Sequence, residues 1–106
     1  MAFTGNENHS ISLSDAIDFT RKYRESIAEG EFLGAYFGMA AISKILDQTD
    51  CVGIRIYNAI NSQDENAYVV VGVSADEKDM TGGELAEFSF GCPPFCPGGS
   101  SLAGTD

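Results

Sequence analysis

Hydrophobic positions follow a helical spacing in the first half of the chain. Between Ser12 and Glu29, apolar side chains recur every three or four residues, as they do on one face of a helix. Ser12 is placed to cap the amino end of this helix, and Gly30 to close its carboxyl end. The same spacing over residues 39–48 predicts a second, shorter helix.

The period changes to two residues after position 50, which is typical of β-strands. One face of the first strand, residues 51–58, is predicted to carry Val52, Ile54 and Ile56, and the other face Gly53, Arg55 and Tyr57. Residues 67–74, which include Val69, Val71 and Val73, are apolar on both faces and predict a central strand, paired with the first as an antiparallel hairpin. Residues 84–90 predict a third strand with Ala86, Phe88 and Phe90 pointing inward.

These elements predict an α+β fold, with two helices packed on one face of a small, mainly antiparallel sheet of about three strands. The length of 106 residues is that of one domain. We expect a flexible N-terminal segment at 1–10, a single α+β domain at 11–91 and an irregular Pro/Gly/Ser-rich tail at 92–106.

The net charge of the chain limits the classes of molecule that it is expected to bind. Sixteen acidic residues against six basic ones give a net charge of −10. Such a field repels phosphate backbones and anionic lipid headgroups, so neither nucleic acid nor a membrane surface is an expected partner. Residues 1–10 lack the basic and apolar regions of a signal peptide, and no apolar stretch is long enough to span a membrane. The sequence therefore predicts a cytoplasmic protein with reduced thiols.

The segment Cys92-Pro-Pro-Phe-Cys96 is the most distinctive motif, and three interpretations of it are open. Its two thiols could form half of a zinc site, completed by Cys51 and His9. They could instead form a reversible disulfide, although the spacing is not that of a Cys-x-x-Cys motif. The preferred interpretation is structural, because Pro93-Pro94 stiffens a turn and small cysteine side chains pack well in a core. We therefore expect all three thiols to be free or structurally inert, with no bound metal or cofactor.

Two arginines lie among apolar neighbours, Arg24 on the predicted helix and Arg55 on the predicted strand. Together they could clamp a carboxylate or phosphate, since a guanidinium donates two parallel hydrogen bonds to such a group. The alternative is that each lays its stem on the core and pairs with one of the many acids. The abundance of acids favours this alternative.

The residues do not indicate an enzyme. His9 is the single histidine, and no phosphate-binding or dinucleotide-binding glycine motif is present. We therefore expect a non-enzymatic protein-interaction module (a subunit, adaptor or self-assembling protein) whose partner is another protein chain, self or hetero. The alternative is a small thiol protein acting in metal binding or redox through Cys92 and Cys96.

The predicted interaction surface combines the exposed edge of the third strand with the tail, and residues 92–102 are expected to contact a second chain. The residues expected to take part are Phe88, Phe90, Cys92, Pro93, Pro94, Phe95, Cys96 and Leu102.

Three short motifs are Tyr36-Phe37-Gly38, Gly53-Ile-Arg-Ile-Tyr57 and Cys92-Pro-Pro-Phe-Cys96. In this combination the chain resembles a group of small bacterial proteins of unassigned function with a C-P-P-x-C tail. The resemblance covers about Ile11 to Cys96, and it implies no particular activity or site.

Overall fold

The computed structural model describes residues 2–87 and 90–106. Its elements in chain order are α1 (Leu13–Glu25), β1 (Gly34–Tyr36), α2 (Met39–Leu46), β2 (Cys51–Ile60), β3 (Asn66–Ser74), β4 (Leu85–Ala86) and β5 (Phe90–Cys92). One sheet has the order β2-β3-β4, and a second sheet pairs β1 with β5. The predicted α+β class is confirmed. In the part of the chain that is described, no helix has both the length and the apolar character needed to cross a membrane.

The described residues divide into two compact units. Unit 1 comprises the described residues of 1–7 and 36–89, and unit 2 those of 8–35 and 90–106. The C-terminal segment thus belongs to a folded unit, because β5 pairs with β1 and the Leu33 amide donates to the Cys92 carbonyl at 2.7 Å.

A long antiparallel hairpin forms the centre of unit 1. Its register runs from Cys51 opposite Ser74 to Ile60 opposite Asn66, with one irregularity between Cys51 and Gly53. β3 is the central strand, as its apolar sequence predicts. The buried residues of this strand are Ala67, Val70, Val71, Gly72 and Val73.

Helix α2 packs on this hairpin through Ile45, whose side chain is 1% exposed. Gly72 makes the close approach possible, since a Cβ at that position would stand 3.4 Å from the Ile45 side chain and 3.0 Å from Cys51 Sγ. The predicted helix over 39–48 is confirmed within two residues of its end.

Helix α1 begins as predicted and ends early. The Ser12 hydroxyl accepts a hydrogen bond from the Asp15 amide at 3.0 Å, which is the expected N-cap. The helix ends at Glu25 because Ser26 turns back on it, donating from both its amide (3.0 Å) and its hydroxyl (2.6 Å) to the Tyr23 carbonyl. Gly30, expected to close the helix, lies in a later turn with a φ of 86°.

The predicted third strand at 84–90 is divided between the two sheets. Ala86 and Leu85 pair with Val70 and Val71 of β3, whereas Phe90 opens β5 in unit 2. The prediction that Phe90 points inward is wrong, since the residue is 53% exposed. The same prediction for Phe88 lies outside the described residues.

Candidate functional site

The Cys92–Cys96 segment folds into a small loop closed by a disulfide bond. We call residues 90–96 the aromatic loop. The Phe95 amide donates to the Gly91 carbonyl at 2.9 Å, and the peptide bonds on either side of Pro93 are cis. Cys92 is buried in unit 2 and anchors the loop there.

Of the two states expected for the thiols, free or structurally inert, the disulfide rules out the free one for Cys92 and Cys96. A spacing of four residues lets the chain fold back far enough for the two side chains to meet, with their Cα atoms 4.6 Å apart. The structure thus joins two residues that the preferred sequence interpretation left separate. Cys51 is a free thiol and lies in unit 1.

The loop presents two phenylalanine rings together. The rings of Phe90 and Phe95 are in edge-to-face contact, with centroids 5.1 Å apart and an interplanar angle of 72°. This geometry is favourable because the positive ring edge of one meets the negative face of the other. Phe95 is nevertheless 62% exposed and Phe90 more than half exposed, so the pair forms an apolar surface facing solvent.

Arg24 holds the C-terminal turn in place. Its Nη1 donates to the Leu102 carbonyl at 2.6 Å, and its guanidinium lies against Gly104, where a Cβ would come within 2.6 Å of Nε. Gly104 also has a positive φ of 74°. Both this backbone conformation and the close approach of the guanidinium favour glycine at this position. The turn is closed by Thr105, whose hydroxyl donates to the Pro97 carbonyl at 2.6 Å. The acid partner that the sequence favoured for Arg24 is thus not what Nη1 binds here, since its hydrogen bond goes to a backbone carbonyl.

A cleft of about 390 Å³ lies within unit 2, between the end of α1 and the aromatic loop. Its apolar walls include Ile27, Leu33, Pro93 and Ala103. Its charged lining consists of Arg24, Glu29 and Glu31, which together carry a formal charge of −1. The cleft thus combines apolar walls with two carboxylates and one guanidinium.

Arg55 is tied to Asp79 on the sheet of unit 1. Its guanidinium donates to one carboxylate oxygen of Asp79, and the Tyr57 hydroxyl donates to the other. Arg55 and Tyr57 share a face of β2, as the alternating pattern predicts, and Asp79 reaches them because it bridges to Val73 beside the hairpin. This pairing is the structural alternative expected for Arg55. Arg24 and Arg55 belong to different units.

These hydrogen bonds shift the acidity of the cluster. The Tyr57 hydroxyl, followed by the Arg55 guanidinium, lowers the pKa of Asp79 below its usual value. The same bonds to Asp79 raise the pKa of Tyr57 and of Arg55. The two hydrogen bonds thus stabilise the ionised form of Asp79. Each oxygen of this carboxylate already has a side chain of the same chain as its partner.

The runner-up metal ligands are not all within one unit. His9, Cys92 and Cys96 belong to unit 2, whereas Cys51 lies in unit 1. His9 is exposed. Among the residues described, no cluster of three or more histidine, cysteine, aspartate or glutamate side chains could hold a metal ion.

Sequence reasoning missed Asp79 and Tyr57 as partners of Arg55, and it missed the cleft. A signal existed for Tyr57, because residues two apart on a strand share a face. No comparable signal existed for Asp79, which is one of several acids in a turn and is selected by the fold of residues 74–79. The cleft depends on contacts between segments about 70 residues apart, which no local pattern encodes.

The chain matches no protein-family model, and comparison with curated proteins and with solved structures likewise gives no match. The resemblance to small bacterial proteins therefore stays a prediction, and the chain's own residues carry the case for function.

Proposed function

We propose that the chain is a non-enzymatic protein-interaction module that docks another protein chain on its aromatic loop. The observation that carries the proposal is the exposed Phe90–Phe95 pair, held on a loop closed by the Cys92–Cys96 disulfide. Aromatic side chains, phenylalanine among them, are enriched in the cores of protein interfaces.

The energetics favour docking at this point. Covering the exposed parts of two phenylalanine rings removes roughly 200 Å² of apolar surface from water, worth about 5 kcal/mol of favourable transfer free energy. The disulfide and the two prolines restrict the loop before binding, so less conformational entropy is lost when a partner docks. Leu102, the other large apolar residue expected to take part, is also exposed and lies in the same unit.

The charges indicate the chemistry of the partner. Glu29 and Glu31 line the cleft beside the loop, and the whole chain carries −10. A partner segment that combines an apolar side chain for the cleft with neighbouring lysine or arginine fits this surface. Rim charges of opposite sign mainly accelerate association, so we expect binding to weaken as salt is raised.

Site-specific photo-crosslinking in the native cell tests the proposal. A benzoylphenylalanine at position 95 is expected to capture a defined protein, while the same group at Phe19 is not. Phe19 is a matched control because it is 57% exposed in the same unit. With the captured protein purified, Phe95→Ser is expected to weaken binding about tenfold or more, and Phe19→Ser to leave it unchanged. Equal capture at both positions, or unchanged binding by Phe95→Ser, would contradict the proposal.

The disulfide also favours a second candidate function, that of a thiol protein active in redox. Reduction of the pair takes two electrons and two protons from a dithiol donor, which becomes a disulfide in turn. Disulfides are rare in the cytoplasm, so a cytoplasmic chain would hold this bond as a reversible one.

Equilibration in glutathione buffers, followed by alkylation and mass measurement, separates the two candidates. The redox function requires half-reduction between about −220 and −320 mV, the range of cytosolic poise. A pair that stays oxidised throughout that range is structural, which leaves the docking function alone.

A further inference from the structure

The long strand β2 is an edge of its sheet. It pairs with β3 along one side, and among the described strands none pairs with its other side. An edge strand presents backbone N–H and C=O groups that a further strand can bind. Proteins usually protect such an edge with proline, charge, a bulge or a covering segment.

Among the described residues, the features that protect β2 lie at the start of the strand. The register irregularity lies at Cys51/Gly53, and Gly5 of the N-terminal segment sits so close to the Val52 carbonyl that a Cβ there would be 2.8 Å from its oxygen. From Ile54 to Ile60 the strand has no proline, and its one charge, on Arg55, is held by Asp79.

The unprotected part is also apolar. Ile54, Ile56 and Ile60 are all exposed, Ile56 to 56% and Ile60 to 70%, and they share one face of the strand. Residues 54–60 span roughly 20 Å, which is the length of an ordinary strand.

We propose that residues 54–60 of β2 pair in antiparallel fashion with the same residues of a second copy of the chain, which joins two three-stranded sheets into one of six strands. This surface lies in unit 1 and is distinct from the aromatic loop, so the inference goes beyond the proposed function. Such an interface is closed by a two-fold axis and does not propagate.

Self-complementarity points to a second copy as the occupant. A two-fold axis perpendicular to the sheet at Tyr57 pairs all seven residues with their mates and keeps each face of the sheet continuous. Ile54 then lies opposite Ile60 of the second copy, and Arg55 opposite Ala59. No like charges face each other, and the two Tyr57 side chains meet on the axis.

The charge distribution allows this contact in a strongly acidic chain. Strand β2 contains no aspartate or glutamate, although the chain has sixteen acidic residues. Repulsion between copies therefore comes from charges outside the strand, and salt screens it. We expect the dimer to tighten as ionic strength rises, which is opposite to the salt effect expected for a basic partner on the aromatic loop.

Light scattering on the full chain, with Ile56→Lys and Met39→Lys as matched variants, tests the proposal. Met39 is 84% exposed on α2 of the same unit, so both substitutions add one charge at an exposed apolar position. At about 100 µM, the unmodified chain and Met39→Lys are expected to be dimers, and Ile56→Lys to associate at least about tenfold more weakly. Circular dichroism establishes that each variant is folded. A monomeric unmodified chain, or a folded Ile56→Lys that dimerises as strongly as Met39→Lys, overturns the proposal.

Cross-linking tests the register. In a Cys51→Ser background, Tyr57→Cys places two thiols on the axis, within the distance that a disulfide spans. Ile60→Cys places them roughly 20 Å apart. Mild oxidation is expected to trap a covalent dimer of Tyr57→Cys and not of Ile60→Cys, and the reverse result contradicts the pairing.

The test of strand pairing can be separated from the test of docking on the aromatic loop. Phe95→Ser leaves β2 intact, so it is expected to remain a dimer. If Phe95→Ser abolishes self-association while Ile56→Lys does not, strand pairing is wrong and the docking function stands.

Discussion

At the scale of single residues, the Asp79 carboxylate accepts a side-chain hydrogen bond on each of its two oxygens, from Arg55 and from Tyr57. Because the Tyr57 hydroxyl is the largest cause of its lowered pKa, Tyr57→Phe is expected to raise the pKa of Asp79 towards the ordinary value of about 3.9. The carboxyl carbon of Asp79, followed by NMR through an acid titration, measures this shift. An unchanged pKa in Tyr57→Phe would show that Arg55 alone holds the carboxylate.

The same residue makes stability depend on pH. A carboxyl whose pKa is lower in the folded chain adds stability that is present above its ordinary pKa and is lost as pH falls through the folded value. Asp79→Asn is therefore expected to be less stable than the unmodified chain at pH 7, with the difference closing below about pH 4. Urea unfolding between neutral and acidic pH checks this. Asp18→Asn, which breaks an exposed ion pair with Arg21 on α1, is the control and is expected to change stability little.

At the scale of elements, one side chain joins α2 to the sheet. Ile45 is almost fully buried against the hairpin, so Ile45→Ala is expected to lower the free energy of unfolding by about 2–4 kcal/mol. Met39→Ala on the same helix is expected to stay within about 0.5 kcal/mol, because Met39 is exposed. Equal effects of the two substitutions in denaturant unfolding would contradict the packing of α2 on β2 and β3.

The elements differ in how well the sequence predicts them. The β2–β3 hairpin is predicted closely, since its alternation and the apolar run of Val69–Val73 depend on local pattern alone. Strand β1 is missed because three residues that include a glycine carry no period. The end of α1 is misplaced because the Ser26 side chain, a local competitor for the Tyr23 carbonyl, closes the helix before the apolar spacing ends.

The candidate site is predicted in part. The sequence singles out Phe90, Cys92, Phe95 and Cys96 among the interaction residues, and the structure brings these four together in one loop. It does not decide between a thiol pair and a disulfide, because cysteine spacing permits both and the redox environment selects one. The exposure of Phe90 depends on the sheet in which β5 pairs. That pairing is set by tertiary structure, which the local alternation of apolar and polar residues does not determine.

At the scale of the whole molecule, the two units allow the disulfide to be tested against an internal reference. The bond joins residues four apart in unit 2, and the loop-closure entropy for so short a loop corresponds to a stabilisation of about 2 kcal/mol. Reduction is therefore expected to increase amide hydrogen exchange across residues 90–96 and their neighbours in β1, because β5 carries Cys92. The amides of β3 are expected to keep their protection, since Val70, Val71 and Val73 are buried in unit 1 and the disulfide lies in unit 2. Exchange measured by mass spectrometry with and without reductant reports on both units in one sample.

A Cys92→Ser/Cys96→Ser variant, which reductant cannot change further, is the control. Loss of protection throughout β3 on reduction would show that the two units unfold as one.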